Sequence, residues 1–275
     1  MSDPILAHAP LGQDVSYPDS YDPALLFPIA RSVNREKLRI PHAWHGDDIW
    51  NAYEMSWLTP KGKPVAGVAR FTFPADSPRL VESKSFKLYL NSLNEERFEH
   101  SSLVRACLAR DLAEAAGAPV EVEIDTHIGQ STQLCRPMEG ICIDDADIDQ
   151  SAYRPSADLL RCQPDAALVS ETLMSDLLKS NCPVTGQPDW GSVQVRYSGP
   201  PIDQAGLLAY IVSFRNHNEF HEPCAERMFW DIWRRCQPTQ LSVYARYTRR
   251  GGLDINPFRA SWPQALPPNT RTARQ

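Results

Sequence analysis

LVESKSFKLYLNSL, residues 80–93, returns in the second half of the chain as IDQAGLLAYIVSF, residues 202–214, with Ser92 falling on Ser213. The likeness continues on both sides. Gly62-Lys-Pro64-Val-Ala-Gly67 matches Gly186-Gln-Pro188-Asp-Trp-Gly191, and Phe98-Glu-His100 falls on Phe220-His-Glu222. Agreement in one order at three points, at offsets of 121, 124 and 122 residues, implies a duplicated module.

The surrounding pattern says what the module is. DDIWNAYEMSWL (47–58), the turn TPKGKP and VAGVARFTF put aromatic and β-branched residues in near alternation, which predicts a hairpin. Residues 98–116, FEHSSLVRACLARDLAEAA, repeat apolar positions at three and four with Gly117 as a stop, which predicts a helix. PVEVEID, from Pro119, alternates as a strand. The second half repeats this order with LVSETLMSDLL, GSVQVRYSG, a helix over 222–235 and QLSVYARYT. Each module is then two strands, helices and a further strand, an α+β unit with an antiparallel sheet. The mixed polar stretch 155–164 reads as the link, giving modules at 1–154 and 155–275.

Composition bounds the function. Hydrophobic content of 42% and charged content of 23% suit a globular protein, and no apolar run approaches the roughly 18 residues of a membrane span. The N-terminal MSDPILAHAPLGQDVSYPDSYDP lacks a basic region followed by an apolar stretch, so a cytoplasmic location is expected. Seven cysteines without a CxxC pair read as free thiols, and Cys135 and Cys142 near His127 do not make a zinc-ligand spacing, so no metal is expected. A net charge of −6 argues against a nucleic-acid partner and for a small-molecule substrate.

Several residues could carry chemistry. In KSNCPVTGQPDWGS, residues 179–192, Cys182 precedes Pro183 where a strand ends; it is a buried small hydrophobe or an activated nucleophile. Asp189 is a turn former or a general acid: a carboxyl beside an apolar ring holds its proton more readily, and Trp190 is the next residue. Phe220-His221-Glu222 opens a helix with an acidic first turn, or presents a carboxylate that accepts paired hydrogen bonds from a guanine-like edge. Glu82-Ser83-Lys84-Ser85-Phe86-Lys87 is a solvated edge or a phosphate-holding one. Arg246, Arg249 and Arg250 before Gly251-Gly252 form a second basic cluster, with glycines that let a backbone approach a phosphate. No GxGxxG follows a strand, so a Rossmann nucleotide site is not expected. On the repeat, Cys182 faces Leu58 and Asp189 faces Val65, so each half has polar groups the other lacks, as a composite site would require.

Taken together, VESKSFKLYLNS, SNCPVTGQPDW, SFRNHNEFHE and YTRRGG closely resemble the NADPH-dependent 7-cyano-7-deazaguanine reductases in their long two-module form, over nearly the whole chain. The resemblance implies tandem tunnelling-fold (T-fold) modules, small antiparallel sheets with helices packed on one side, in a homodimer. It implies reduction of a nitrile to a primary amine with two NADPH, in the pathway to the queuosine base of transfer RNA. It assigns Cys182 to a covalent thioimide, Asp189 to protonation of the nitrogen and His221 to proton transfer. Glu82 and Glu222 would hold the deazaguanine edge, with Val81 and Ser83 nearby and Phe220 over the ring; Ser83, Lys84, Arg250 and Gly251 would bind NADPH. The readings left beside it are a non-redox T-fold purine or pterin enzyme, such as a cyclohydrolase, and a purine-binding protein that has lost activity.

Overall fold

A computed structural model describes residues 20–39, 44–127, 135–149 and 153–275. The N-terminal stretch that suggested a missing leader lies almost wholly outside the described residues. No described helix is long and apolar enough to cross a membrane. The chain forms two compact units: one from described residues within 1–36, 48–133 and 249–255, the other from those within 37–47, 134–248 and 256–275.

The first unit contains β1 (Pro28–Ala30), most of α1 (Ser32–Leu38), β2 (His45–Leu58) from Asp48 onward, β3 (Pro64–Pro74), β4 (Arg79–Val81), α2 (Ser83–Ser92), α3 (Ser101–Ala116) and β5 (Glu121–Asp125). The second holds β6 (Ile141–Cys142), β7 (Val169–Asn181), β8 (Pro188–Gly199), α4 (Gln204–Ser213), α5 (His221–Cys236), β9 (Gln240–Tyr247) and most of β10 (Leu253–Ala260). The series β2-β3-α2-α3-β5 recurs as β7-β8-α4-α5-β9, the duplicated α+β unit that the sequence repeat predicts. Strand neighbours run β5-β3-β2 in the first unit and β10-β9-β8-β7-β6 in the second. The pairings β3–β5, β7–β8, β8–β9 and β9–β10 are antiparallel; β6 departs from the expectation, pairing parallel to β7 over two residues.

The two copies agree down to single hydrogen bonds. α2 begins at Glu82, whose carboxylate accepts from the amides of Lys84 and Ser85; α4 begins at Asp203, whose carboxylate accepts from the amide of Gly206. Ser92 Oγ donates to the carbonyl of Tyr89 at 2.7 Å, and Ser213 Oγ to that of Tyr210 at 2.6 Å. Gly67 and Gly191 hold the same place in β3 and β8, where an added Cβ would lie 3.1 and 3.0 Å from a carbonyl oxygen of the neighbouring strand. Sequence identity at these positions therefore reports shared backbone geometry.

Two details of the repeat shift by one residue. The amide of Thr59 donates to Lys63 and that of Cys182 to Gln187, while the carbonyls of Thr59 and Cys182 accept from Gly62 and Gly186. Cys182 thus corresponds to Thr59 and not to Leu58, because the second turn is one residue longer. Likewise Leu58 bridges Arg97 and Asn181 bridges Asn218, so Phe98 corresponds to Glu219 rather than to Phe220. Residues 155–164 run along the second unit: the apolar Leu160 is buried in its core, and backbone hydrogen bonds join Arg161 to Asp203 and Gln163 to Pro201.

Apolar periodicity builds a core in each unit. In the first, Phe86 of α2 is fully buried, its ring 5.0 Å from Phe71, 5.3 Å from Trp50, 6.2 Å from Phe73 and 6.4 Å from Tyr89. In the second, α4 and α5 bury Leu207, Tyr210, Phe214, Met228 and Ile232 against Leu173, Val193, Val195 and Val243 of the sheet. Truncating Phe86 leaves a cavity ringed by rigid aromatics that cannot close on it. Phe86→Ala is expected to cost the first unit about 3–5 kcal/mol, read from the midpoint of denaturant unfolding.

Candidate functional site

The candidate residues fall into two sets, one in each unit. Cys182, Asp189, Phe220, His221 and Glu222 belong to the second; Val81, Glu82, Ser83, Lys84, Arg250 and Gly251 belong to the first. Arg250 and Gly251 come late in the sequence, yet residues 249–255 are part of the first unit.

In the second unit the site is built on the β7–β8 hairpin. Ser180 pairs with Asp189 and Asn181 with Pro188, so alternation puts Ser180 and Cys182 on one strand face with Asp189 across from Ser180. Cys182 is 2% exposed and Asp189 7% exposed, which keeps both from bulk water. Cys182 closes the strand through its amide, which donates to the Gln187 carbonyl at 2.8 Å. His221, the first residue of α5, brings its Nε2 to 3.3 Å from Asp189 Oδ2. Its ring stacks on Tyr247 with centroids 3.8 Å apart and planes 8° from parallel, and its buried Nδ1 has no hydrogen-bond partner among the described residues. Tyr247 on β9 is a site residue that the sequence reading missed. Its place follows from β9 pairing with β8, Gly191 opposite Tyr247, and no local signal reports such a pairing.

Trp190 does not play the part its position suggested. Neighbouring residues on a strand face opposite ways, so Trp190 turns from Asp189 to the surface, 36% exposed, with the guanidinium groups of Arg215 and Arg274 at 5.4 and 5.6 Å from its ring. Asp189 is instead enclosed by its own strand partner and by His221. Glu222 is 2% exposed in the first turn of α5, where a carboxylate is favoured by the helix dipole, and Phe220 caps that helix without a side-chain bond.

All seven cysteines are free. Burial pushes the Cys224 thiol well up, reinforced by the Glu219 charge, and pushes Cys236 up to about 12, so both are held protonated. Cys135 and Cys142 are exposed. Among the described residues, His217, Glu219 and Cys224 form a cluster whose donor atoms lie within 4.8 Å of one another.

In the first unit, Val81 is buried at the end of β4 and Glu82 is fully buried as the cap of α2, its two carboxylate oxygens each 2.8 Å from an amide. Burial pushes the Glu82 carboxyl up, opposed by the Lys84 and Ser85 amides. Ser83 Oγ lies 3.4 Å from Glu82. The 249–252 turn sits beside α2: an added Cβ on Gly252 would meet the Glu54 side chain, and Glu54 pairs with Lys87 of α2. Gly251 has φ +60° with no heavy atom within 4 Å of a Cβ, while Arg249 and Arg250 are exposed and Arg249 lies over the Tyr53 ring. A left-handed glycine with open space beside it, next to two exposed guanidinium groups, fits a phosphate-bearing cofactor. A cavity of about 980 Å³ lies on the other face of the second unit's sheet, lined by Gln194, Arg196, Ser242 and Arg246 among others. It contains none of the candidate residues except Arg246, which is 2% exposed and bonded to Gln275 and Asn269, and so stands apart from the Arg249–Gly252 turn.

Comparison with known proteins agrees with the resemblance. Residues 17–124 match the family described as nitrile reductase, 7-cyano-7-deazaguanine-reductase N-term, and residues 188–264 match the family described as QueF-like protein. NADPH-dependent 7-cyano-7-deazaguanine reductases are 58% identical in Bordetella pertussis over 98% of this chain and 99% of theirs, and 54% identical in Albidiferax ferrireducens over 98% of each. The one from Azoarcus sp. is 58% identical over 92% of this chain and 90% of its own. The apo crystal structure of an archaeosine synthase QueF-Like covers 37% of this chain at 17% identity and a TM-score of 0.32, too distant to bear on the site. The near full-length relatives define the chain as an NADPH-dependent oxidoreductase. It belongs to the NADPH-dependent 7-cyano-7-deazaguanine reductase family.

Glu82 gives a test of the site's electrostatics. Its folded carboxyl is raised by burial, so its protonated form favours the fold; that stability is present below about pH 4.5 and is lost as pH rises through the folded value. The melting temperature of Glu82→Gln relative to wild type should therefore rise between about pH 4 and pH 7. A difference that stays constant over that range would remove the burial argument.

Proposed function

We propose that this protein reduces the nitrile of 7-cyano-7-deazaguanine to the amine of 7-aminomethyl-7-deazaguanine, with NADPH, in queuosine biosynthesis. The observation that carries the reading is the buried Cys182 at the mouth of the β7–β8 hairpin, with Asp189 on the same hairpin held 3.3 Å from His221. A thiol, an acid and an imidazole so arranged suit addition to a polarised carbon and protonation of its nitrogen. The near full-length relatives named for this reaction support it.

In this mechanism Cys182 Sγ bonds to the nitrile carbon while its proton reaches the nitrile nitrogen through Asp189, giving a thioimide with no net change in charge. NADPH, when bound, would supply hydride to that carbon and, a second time, to the imine that follows, whose nitrogen takes the further proton it needs from the Asp189–His221 pair. Between the two additions the C–S bond breaks and Cys182 leaves with the bonding pair, recovering a proton from the Asp189–His221 pair. His221 Nδ1, which has no hydrogen-bond partner among the described residues, would pass that proton on. Glu82 and Glu222 accept from the base edge, with Val81, Ser83 and Phe220 around it; Ser83, Lys84, Arg250 and Gly251 hold the cofactor. The partner is a small molecule, and we read the enzyme as a cytoplasmic homodimer.

Incubation with 7-cyano-7-deazaguanine alone should add the mass of the substrate to wild type and not to Cys182→Ala. With NADPH present, wild type should oxidise it in a ratio of two per amine formed. Asp189→Asn, which keeps the shape and loses the acid, should slow adduct formation by about 10²–10⁴-fold. Binding of the nitrile without an adduct or turnover would favour the binding-protein reading.

A further inference from the structure

The segment His217–Glu219 precedes α5 and was left without a role, although it belongs to the SFRNHNEFHE motif. It meets the strand residue immediately before the nucleophile. The Asn181 amide donates to the His217 carbonyl at 2.8 Å, and the Glu219 amide donates to the Asn181 carbonyl at 3.1 Å. Asn181 is further tied by its side chain: Nδ2 donates to Asn218 Oδ1 at 3.0 Å, and Lys179 Nζ donates to Asn181 Oδ1 and to the Arg215 carbonyl, each at 2.7 Å.

The first unit shows which part of this is scaffold. There the Leu58 amide donates to the Glu96 carbonyl at 2.8 Å and the Phe98 amide to the Leu58 carbonyl at 2.9 Å, the same bridge at the end of β2. The side chains are what differ. Phe98 packs on the first core, whereas its counterpart Glu219 is a carboxylate only 12% exposed. A carboxylate in the place of an apolar ring costs desolvation unless it is paired. Glu219 is paired: His217 Nε2 lies 2.7 Å from its Oε2, and Arg227 Nε of α5 lies 3.6 Å from the same oxygen. The exchange of a phenylalanine for a charged, clamped residue occurs in the copy that carries Cys182.

We propose that Glu219, held by His217 and Arg227, is a positioning residue for Cys182. It stiffens the bridge to Asn181 on one side and anchors to α5 on the other, and α5 begins two residues later with His221. One clamp thus sets the nucleophile and the imidazole that contacts Asp189 in a single frame. Misplacement of reacting groups by an ångström costs about 10²-fold in rate, so a clamp of this kind matters to chemistry far more than to folding. His217, Glu219 and Cys224 also have the donor types of a soft metal site, but the Arg227 guanidinium beside Glu219 already supplies the positive charge.

The inference rests on Cys182 being the nucleophile, and the test separates the two. Wild type, Glu219→Ala, Glu219→Gln and His217→Ala are compared for the rate of adduct formation with 7-cyano-7-deazaguanine, for KM and kcat, and for amide exchange over residues 179–183. Glu219→Ala and His217→Ala should form the adduct at least about tenfold more slowly with KM little changed, and exchange faster over 179–183. Glu219→Gln, which can still hydrogen-bond to His217, should recover most of the rate. Equal rates and equal exchange in wild type and Glu219→Ala overturn the proposal, as does a stoichiometric zinc ion in the purified protein. If wild type itself forms no adduct, the proposed function fails, and the exchange comparison still decides whether Glu219 clamps Asn181. Should Glu219→Ala not fold, His217→Ala, at a position 20% exposed, carries the comparison.

Discussion

The backbone bridge between the end of a long hairpin strand and the segment leading into a helix is the constraint on which the geometry of the second unit's candidate site depends. Two hydrogen bonds at Asn181 fix where β7 stops, and the turn bonds at Cys182 fix where the chain goes next. With β8 in register, Asp189 is then across the hairpin from Ser180, and with α5 starting at His221 the imidazole reaches it. A strand end is ordinarily a frayed place. Here it is closed on both sides, which fixes the backbone that carries the Cys182 thiol before any ligand arrives.

Duplication explains how such a site could be assembled from ordinary parts. The hairpin, its helix cap and the bridge recur in both units with matching hydrogen bonds, so the scaffold does not depend on Cys182 or Asp189. Apart from the extra residue in the second turn, the differences that matter to the candidate site are side chains on that scaffold: Thr59 against Cys182, Val65 against Asp189, Phe98 against Glu219. Two of the changes put a carboxylate where the other copy has an apolar side chain, and the third puts a thiol where it has a hydroxyl. The first unit differs in its turn at α2, where a fully buried glutamate does the capping that Asp203 does with a shorter side chain.

Much of this was legible because it is local. Strands, helices and their stops follow from the alternation of 47–58 and 168–178, from the spacing of 98–116 and from Gly117. Cys182 and Asp189 stand out because they sit in a turn that the first copy also has. The reading erred where identity and register diverge: Phe98 was laid on Phe220 because both are phenylalanine, while the bridge puts it on Glu219. Trp190 was given to Asp189 because the two are adjacent, although adjacent strand residues face apart. β10, which holds Asn256 and Pro257 in an apolar run, gave no clean alternation and was missed, as was the parallel pairing of the two-residue β6.

By itself, then, the sequence determined the duplicated α+β module, the order of its elements and the candidate thiol, acid and imidazole, while nitrile chemistry came from the family resemblance. These depend on periodicity, turn formers and residue identity, all properties of neighbours along the chain. Only the tertiary structure decided which groups meet: His221 with Asp189 and Tyr247, Glu219 with Asn181 and Arg227, and the Arg249–Gly252 turn with α2. The physical reason is that strand pairing and helix packing join residues tens of positions apart, and the burial and hydrogen bonding that give them their chemistry exist only after that pairing has formed.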